Sequence, residues 1–238
     1  MVTAEGLVID WATMPTYNTV MSVAVGVGLV LLVWLGRSLL RDPQGVVAEG
    51  WSLAFGVLGL ILTTTGLHMT LTWPLAAGGF PFDNIIFGET SLAFGVLLLF
   101  ASLYLWRRGH EALERDDAVD HLMAVARPVS VFVLAMGLAL IAIAIAGVTY
   151  TLFAAPAEEP ISGTFADHPM VEATFMSGLI ALVGVGAVLF PFGLRRTPAA
   201  AAVRQVVGVV WAIGGVAFGL FGAMNFFTHI GLIVHTMG

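Results

Sequence analysis

Residues 128–154 read PVSVFVLAMGLALIAIAIAGVTYTLFA. No charged side chain interrupts this stretch, and it is longer than the about 20 helical residues that cross the hydrocarbon core of a bilayer. Five further apolar stretches occur along the chain, each with at most one acidic residue. The sequence therefore predicts an all-α polytopic membrane bundle in a single domain, residues 1–238, with six transmembrane helices near residues 16–36, 51–73, 89–106, 128–154, 171–194 and 205–234.

The composition excludes several classes of protein. Of the 238 residues, 59% are hydrophobic and 10% are charged, whereas a soluble domain carries roughly 25% charged residues. The net charge of −6 disfavours nucleic acid as a partner, because basic residues bind its phosphate backbone. The chain contains neither Cys nor Lys, which excludes disulfides, iron–sulfur clusters, thiol nucleophiles and lysine Schiff bases.

The arginines predict how the helices are oriented. All nine basic residues are arginines, and each lies in the link after the first, third or fifth helix: Arg37, Arg41, Arg107, Arg108, Arg115, Arg127, Arg195, Arg196 and Arg204. Cytoplasmic links of membrane proteins are enriched in basic residues. We therefore expect a multi-pass protein of the cell membrane with both termini on the non-cytoplasmic side. The link at residues 107–127 mixes both charge signs and is predicted to be a solvated helical connector.

Two predicted hairpins share a pattern of residues. Residues 56–71 read GVLGLILTTTGLHMTL, and residues 137–152 read GLALIAIAIAGVTYTL. The pairs that align are Gly56 with Gly137, Gly66 with Gly147, Glu89 with Glu172, and Gly95 with Gly178. The pattern predicts a parallel repeat of the hairpins formed by helices 2–3 and 4–5.

The segment between the second and third helices resembles a known family. Residues 70–95 read TLTWPLAAGGFPFDNIIFGETSLAFG, with a tryptophan–proline turn, an Asn-Ile pair and a glycine–acid step into the next helix. This looks like the signature loop of an uncharacterised prokaryotic family of multi-span membrane proteins, and the resemblance covers mainly residues 66–106. It implies a membrane location and the hairpin, and it implies no activity.

Four ionisable residues form the candidate site: His68, Glu89, Glu172 and His229. All four lie toward the non-cytoplasmic ends of their helices, and ionisable side chains at membrane depth usually pair inside the bundle. Imidazole and carboxylate groups bind transition metals such as zinc, iron and copper. Two histidines from separate helices also hold haem groups. The sequence therefore predicts that the four residues bind a transition metal ion, or that His68 and His229 bind a haem b.

The same residues have structural interpretations. Glu89 and Glu172 stand near helix N-termini, where a carboxylate interacts favourably with the helix dipole and caps free amides. His68 and His229 are nearly as well suited to interhelical hydrogen bonds with Thr or Asn.

The sequence leaves more than one function open. The leading hypothesis is a small membrane protein, or a subunit of a membrane complex, with a His/Glu site and with membrane lipids and other subunits as partners. The alternative is a small-solute or ion permease. It is disfavoured because the cytoplasmic halves of helices 2, 4 and 6 contain almost no polar residues. No catalytic residue is assigned, and the sequence does not decide whether the protein is an enzyme.

Overall fold

The fold consists of six long helices joined by short links. The computed structural model describes residues 9–11, 17–72 and 81–237. The helices are α1 Asn18–Arg41, α2 Ala48–Leu71, α3 Thr90–Leu113, α4 Ala118–Thr149, α5 Pro169–Gly193 and α6 Pro198–Thr236. A π-helical turn, Asn84–Glu89, leads into α3, and a 3₁₀ turn, Ser162–Phe165, precedes α5. The described ranges contain no β-strand, which confirms the all-α prediction.

All six helices are long and apolar enough to cross a membrane. They have 24 to 39 residues when the π-helical turn is counted with α3, against the about 20 residues that a bilayer requires. Large apolar side chains cover their outer faces; Leu53, Val131 and Leu220 are each about 70% exposed. A helix surface of this kind suits a hydrocarbon environment, and the predicted six-helix membrane bundle is confirmed.

The link between α3 and α4 is almost entirely helical, as predicted for the connector over residues 107–127, but it consists of extensions of the two membrane helices. Helix α3 continues to Leu113, and α4 begins at Ala118 instead of near residue 128. Burial explains the difference, because Leu113 and Met123 are 4% and 8% exposed. Pro128 thus lies inside α4, where its missing amide hydrogen costs one helical hydrogen bond.

Helix α6 also begins earlier than predicted, at Pro198 instead of near residue 205. The prediction began after Arg204 because that charge ends the apolar stretch. In the structure the Arg204 guanidinium donates to the Gly193 carbonyl oxygen at 2.8 Å. The Thr197 hydroxyl accepts the Ala200 amide at 3.2 Å and caps the helix, with proline in the first turn.

The helices pack as three antiparallel pairs, α2 with α3, α4 with α5 and α1 with α6. Glycines at the crossings let the backbones approach closely. A Cβ atom added to Gly95 of α3 would lie 2.5 Å from the Thr63 nitrogen of α2. One added to Gly137 of α4 would lie 2.7 Å from the Val188 nitrogen of α5. One added to Gly26 of α1 would lie 2.6 Å from the Gly215 oxygen of α6. No side chain fits at such distances, so these glycines are required by the packing.

The bundle has two chemically different ends. Helices α1, α3 and α5 finish at one end, and α2, α4 and α6 begin there. All nine arginines lie at or near this end, which is termed the arginine end. The opposite end is formed by residues 9–11, 81–83 and 150–168 and carries five acidic residues, Asp10, Asp83, Glu158, Glu159 and Asp167. It is termed the acidic end.

The predicted repeat is matched by the packing of some of its glycines and not of others. Gly66 and Gly147 each face the partner helix of their own hairpin. A Cβ atom on Gly95 would collide with α2, whereas one on Gly178, its predicted equivalent, would meet nothing within 4 Å. The repeat of the two hairpins therefore stays a prediction.

Candidate functional site

An apolar chamber lies between the three helix pairs. Its volume is about 910 Å³, and all six helices contribute to its walls. Leu29 of α1, Phe94 of α3 and Ile180 of α5 are typical of the lining side chains. Among the described residues, the lining includes no charged side chain and no histidine. The sequence did not predict this chamber, because a cavity depends on which helix faces are brought together.

The chamber opens sideways between α3 and α4. These two helices make few contacts with each other. Phe100 of α3 and Phe132 of α4 line the chamber, yet they are 67% and 48% exposed. A molecule dissolved in the hydrocarbon core would therefore reach the chamber without crossing a polar surface.

A group of neutral polar side chains lines the chamber near the acidic end. It consists of Asn18 in α1, Ser91 in α3 and Asn225 in α6, and it is termed the polar cluster. Gly222 of α6 packs against Ser22 of α1. Asn225 and Asn18 each lie about one helical turn from this contact, toward the acidic end, and therefore lie at the same level. Sequence reasoning assigned none of these three residues to a site, since it searched for ionisable groups.

The polar cluster contains one buried atom without a partner among the described residues. The Asn18 Oδ1 atom is buried and accepts no hydrogen bond from any described residue. Asn225 is 9% exposed and Ser91 is 5% exposed. Buried polar side chains are normally hydrogen-bonded, so the cluster is the least satisfied part of the chamber wall.

A smaller polar cavity of about 300 Å³ adjoins the chamber at the arginine end. It shares Tyr104 with the chamber wall and is lined by Arg108 and Arg115. Both arginines are paired, Arg108 with Glu111 at 2.7 Å and Arg115 with Asp117 at 2.7 Å. The hydrogen bond from Arg115 lowers the pKa of the Asp117 carboxyl. The positive charges in this cavity are therefore already compensated within the chain.

The two histidines of the predicted site have separate hydrogen-bond partners. His68 Nδ1 shares a hydrogen bond with the Tyr17 hydroxyl, just before α1, and the two rings meet edge to face with centroids 5.6 Å apart. His229 Nδ1 donates to the Asn225 carbonyl oxygen, one turn back in α6, at 3.0 Å. The His68 contact suits the structural interpretation, with a tyrosine from outside α2 as partner where a Thr or Asn side chain was expected. The His229 contact lies within α6 and is not interhelical.

The two glutamates lie in different surroundings. Glu172, in the first turn of α5, accepts the Ala155 amide at 2.7 Å and ties down the loop before the helix. Glu89 ends the π-helical turn and is exposed. Within residues 9–11, 17–72 and 81–237, no three His, Asp or Glu side chains are grouped so that they could hold a metal ion. The shared metal site, and the haem b held by His68 and His229, stay predictions.

The segment that carries the family resemblance fastens α3 to α2. Asn84 is 2% exposed, and its Nδ2 donates to the Met69 carbonyl oxygen at 2.7 Å. A Cβ atom on Gly88 would lie 3.0 Å from the Thr70 nitrogen, so this position also requires a small residue. Asp83, directly before the π-helical turn of this segment, is half-buried, and its burial raises the pKa of its carboxyl to about 7.

Comparison with known proteins extends the resemblance. A family model described as "Protein of unknown function (DUF981)" matches residues 14–231. The match covers far more of the chain than residues 66–106 and confirms that the resemblance is to an uncharacterised family. No curated protein and no solved structure matches the chain.

Proposed function

This chain belongs to that family of proteins of unknown function, and we propose that it is an integral membrane protein that binds a lipid or another apolar molecule in the chamber. The observation that carries the proposal is the cavity of about 910 Å³ with uncharged walls. Ligand sites in proteins have volumes of about 300–1,000 Å³ and mainly apolar walls with a few polar groups. Membrane lipids, which the sequence suggested as partners, have the required chemistry and can reach the gap between α3 and α4.

The proposal includes an orientation in the cell membrane. All nine arginines lie at one end of the bundle, and basic residues accumulate on the cytoplasmic side of membrane proteins. We therefore place the arginine end in the cytoplasm and both termini on the opposite side. The polar cluster would then lie in the outer half of the bilayer.

The chamber supports binding better than transport. Ion pathways replace the hydration shell with carbonyl oxygens or charged side chains, whereas the described chamber lining is uncharged. A small-solute permease would need polar groups leading toward the arginine end. The lining residues in that direction are mainly apolar, such as Leu35, Leu39 and Leu122, and the Tyr104 hydroxyl there already shares a hydrogen bond with His121.

Two hypotheses from the sequence remain proposals beside this function. A transition metal or a haem b at His68 and His229 is tested by elemental analysis and by the absorption spectrum of the purified protein. A role as a subunit of a membrane complex is tested by identifying the proteins that copurify in mild detergent.

The proposed function is tested by filling the chamber. Leu97→Trp on α3 and Val133→Trp on α4 place an indole where the ligand would lie, since both positions line the chamber. Mass spectrometry of organic extracts from the purified protein would count the lipid molecules retained per chain. We expect each variant to retain at least about tenfold less than the wild type, which corresponds to about 1.4 kcal/mol of binding free energy.

A matched control is Leu53→Trp, because Leu53 is 72% exposed on the outer face of α2 and does not line the chamber. This variant should retain as much lipid as the wild type. If all three variants and the wild type retain the same amount, the lipid lies on the outer surface of the bundle and the proposed function is wrong.

A further inference from the structure

Among the described residues, the chamber wall has a buried side-chain atom without a hydrogen-bond partner near the acidic end only. Most of its other polar side chains have partners inside the protein: Ser22 donates to the Phe218 carbonyl oxygen at 3.0 Å, and Thr90 donates to the Ile86 carbonyl oxygen of the π-helical turn at 2.5 Å. The Asn18 Oδ1 atom has no partner among the described residues, and Asn225 is 91% buried.

A buried oxygen without a partner, on a residue that lines an apolar cavity, has a specific chemical requirement. A carbonyl oxygen such as Asn18 Oδ1 accepts hydrogen bonds and donates none, so its partner must carry a hydrogen-bond donor. The Ser91 hydroxyl and the Asn225 amide group both accept and donate. The polar cluster can therefore accept a hydrogen bond from a ligand hydroxyl group and can also donate one to the oxygen atom of the same hydroxyl.

We propose, on the basis of the lipid-binding function above, that the ligand is a neutral lipid with a free hydroxyl group. Its hydroxyl donates to Asn18 Oδ1 and accepts from Ser91 or Asn225, and its hydrocarbon body fills the chamber toward the arginine end. The ligand enters sideways between α3 and α4.

The charges around the chamber exclude an anionic head group at this position. A carboxylate or a phosphate buried in an apolar site requires a cationic partner, and the described lining contains no such group. Arg108 and Arg115 lie in the cavity at the other end and are paired with acidic residues. The polar cluster therefore distinguishes a lipid alcohol from a fatty acid or a phospholipid.

The test compares two probes that differ in one hydrogen-bond donor. Radiolabelled hexadecanol binds to the purified full-length protein in detergent, and unlabelled hexadecanol or its methyl ether competes with it. One hydrogen bond to a buried acceptor changes affinity by roughly three- to tenfold, so we expect the wild type to prefer the alcohol by this factor. Asn18→Leu and Asn225→Leu should each reduce the preference toward one, while both probes still bind.

Control variants separate the inference from the proposed function. Thr64→Val removes a hydroxyl from an exposed position of α2 outside the chamber and should keep the preference for the alcohol. Leu97→Trp should weaken both probes together. Asn225→Leu decides the test by itself if Asn18→Leu does not fold.

Three results would overturn the inference. Equal binding of alcohol and ether by the wild type, with both weakened by Leu97→Trp, leaves the lipid-binding function intact but removes the hydroxyl requirement. Stronger binding of palmitate than of hexadecanol, lost in Arg108→Gln, moves the head group to the arginine end. If no probe binds to the wild type and no lipid copurifies, the proposed function is wrong as well.

Discussion

At the residue scale, two acidic side chains of the acidic end show how burial acts on a carboxylate. Glu159 is 8% exposed, and its Oε2 atom accepts the amides of Ile161 at 2.9 Å and Gly163 at 3.3 Å. These hydrogen bonds satisfy the buried carboxylate within the loop before α5. For Asp83, desolvation by burial raises the pKa of the carboxyl to about 7, so its charge depends on pH near neutrality.

The first prediction concerns the stability of the fold around Asp83. Its pKa is about 7 in the folded protein and 3.8 for the ordinary group, so the fold favours the protonated form. The stabilisation is complete below about pH 4 and is lost as the pH rises through about 7. We expect the melting temperature of the wild type, relative to Asp83→Asn, to fall over this range in thermal unfolding in detergent.

Asp167→Asn is the control for this prediction, because Asp167 is exposed at the same end of the bundle. It should not reproduce the pH-dependent difference. A difference between the wild type and Asp83→Asn that stays constant with pH, or that rises, would contradict the prediction.

At the element scale, the helix pairs depend on glycines that allow backbone contact. The pair of α2 and α3 is held by Gly59, Gly66, Gly88 and Gly95, and each would place a Cβ atom within about 3 Å of the other helix or of the segment leading into it. Close packing of this kind is typical of helices in membranes, where the hydrophobic effect does not drive association. Small residues there allow the van der Waals contacts that hold the helices together. A single added methyl group should therefore separate the helices.

The second prediction compares two glycines that the sequence aligns. Gly95→Ala places its methyl group 2.5 Å from the Thr63 nitrogen, and overpacking costs about 1–3 kcal/mol. Gly178→Ala meets nothing within 4 Å and should be neutral or stabilising by up to about 1 kcal/mol, because alanine favours helix. Chemical unfolding of both variants measures the difference. Equal destabilisation would show that the two positions are packed alike, as the predicted repeat requires.

At the scale of the whole molecule, the arginines are confined to one end of the bundle and the chamber lies between the helix pairs. The arginine end carries acidic residues as well as all nine arginines, whereas the acidic end carries no arginine. Each helix pair packs tightly within itself, while α3 and α4 belong to different pairs and make few contacts. The chamber is thus the space that the three pairs leave between them.

The third prediction tests the orientation of the molecule. The chain has no native Cys, so Asp116→Cys in the link after α3 and Asp167→Cys in the link before α5 provide unique labelling sites. A membrane-impermeant thiol reagent applied to intact cells should label Asp167→Cys at once and Asp116→Cys only after permeabilisation. The reverse pattern would place the arginine end outside, and labelling of both in intact cells would contradict the six-helix topology.

Some properties of this protein follow from the sequence alone. The number of helices and their membrane character could be predicted, because a helix needs only sufficient length and apolar composition to cross a bilayer. The separation of the arginines from the acidic links could also be predicted, since it depends only on the order of spans and charges. The ends of helices that carry charged residues could not be predicted, as the early start of α4 at Ala118 shows. At these ends, burial by neighbouring helices outweighs local polarity.

The candidate site was decided by the tertiary structure. His68 and His229 looked like the strongest site residues because ionisable groups are conspicuous in apolar helices, yet their nearest partners are Tyr17 and a backbone carbonyl. The chamber and the polar cluster have no signature in the sequence, since Asn18 and Asn225 are separated by most of the chain. Their meeting depends on the close approach of α1 and α6 at glycines such as Gly26. Local hydrophobicity determines that each helix enters the membrane, and only interhelical packing determines which polar groups share a cavity.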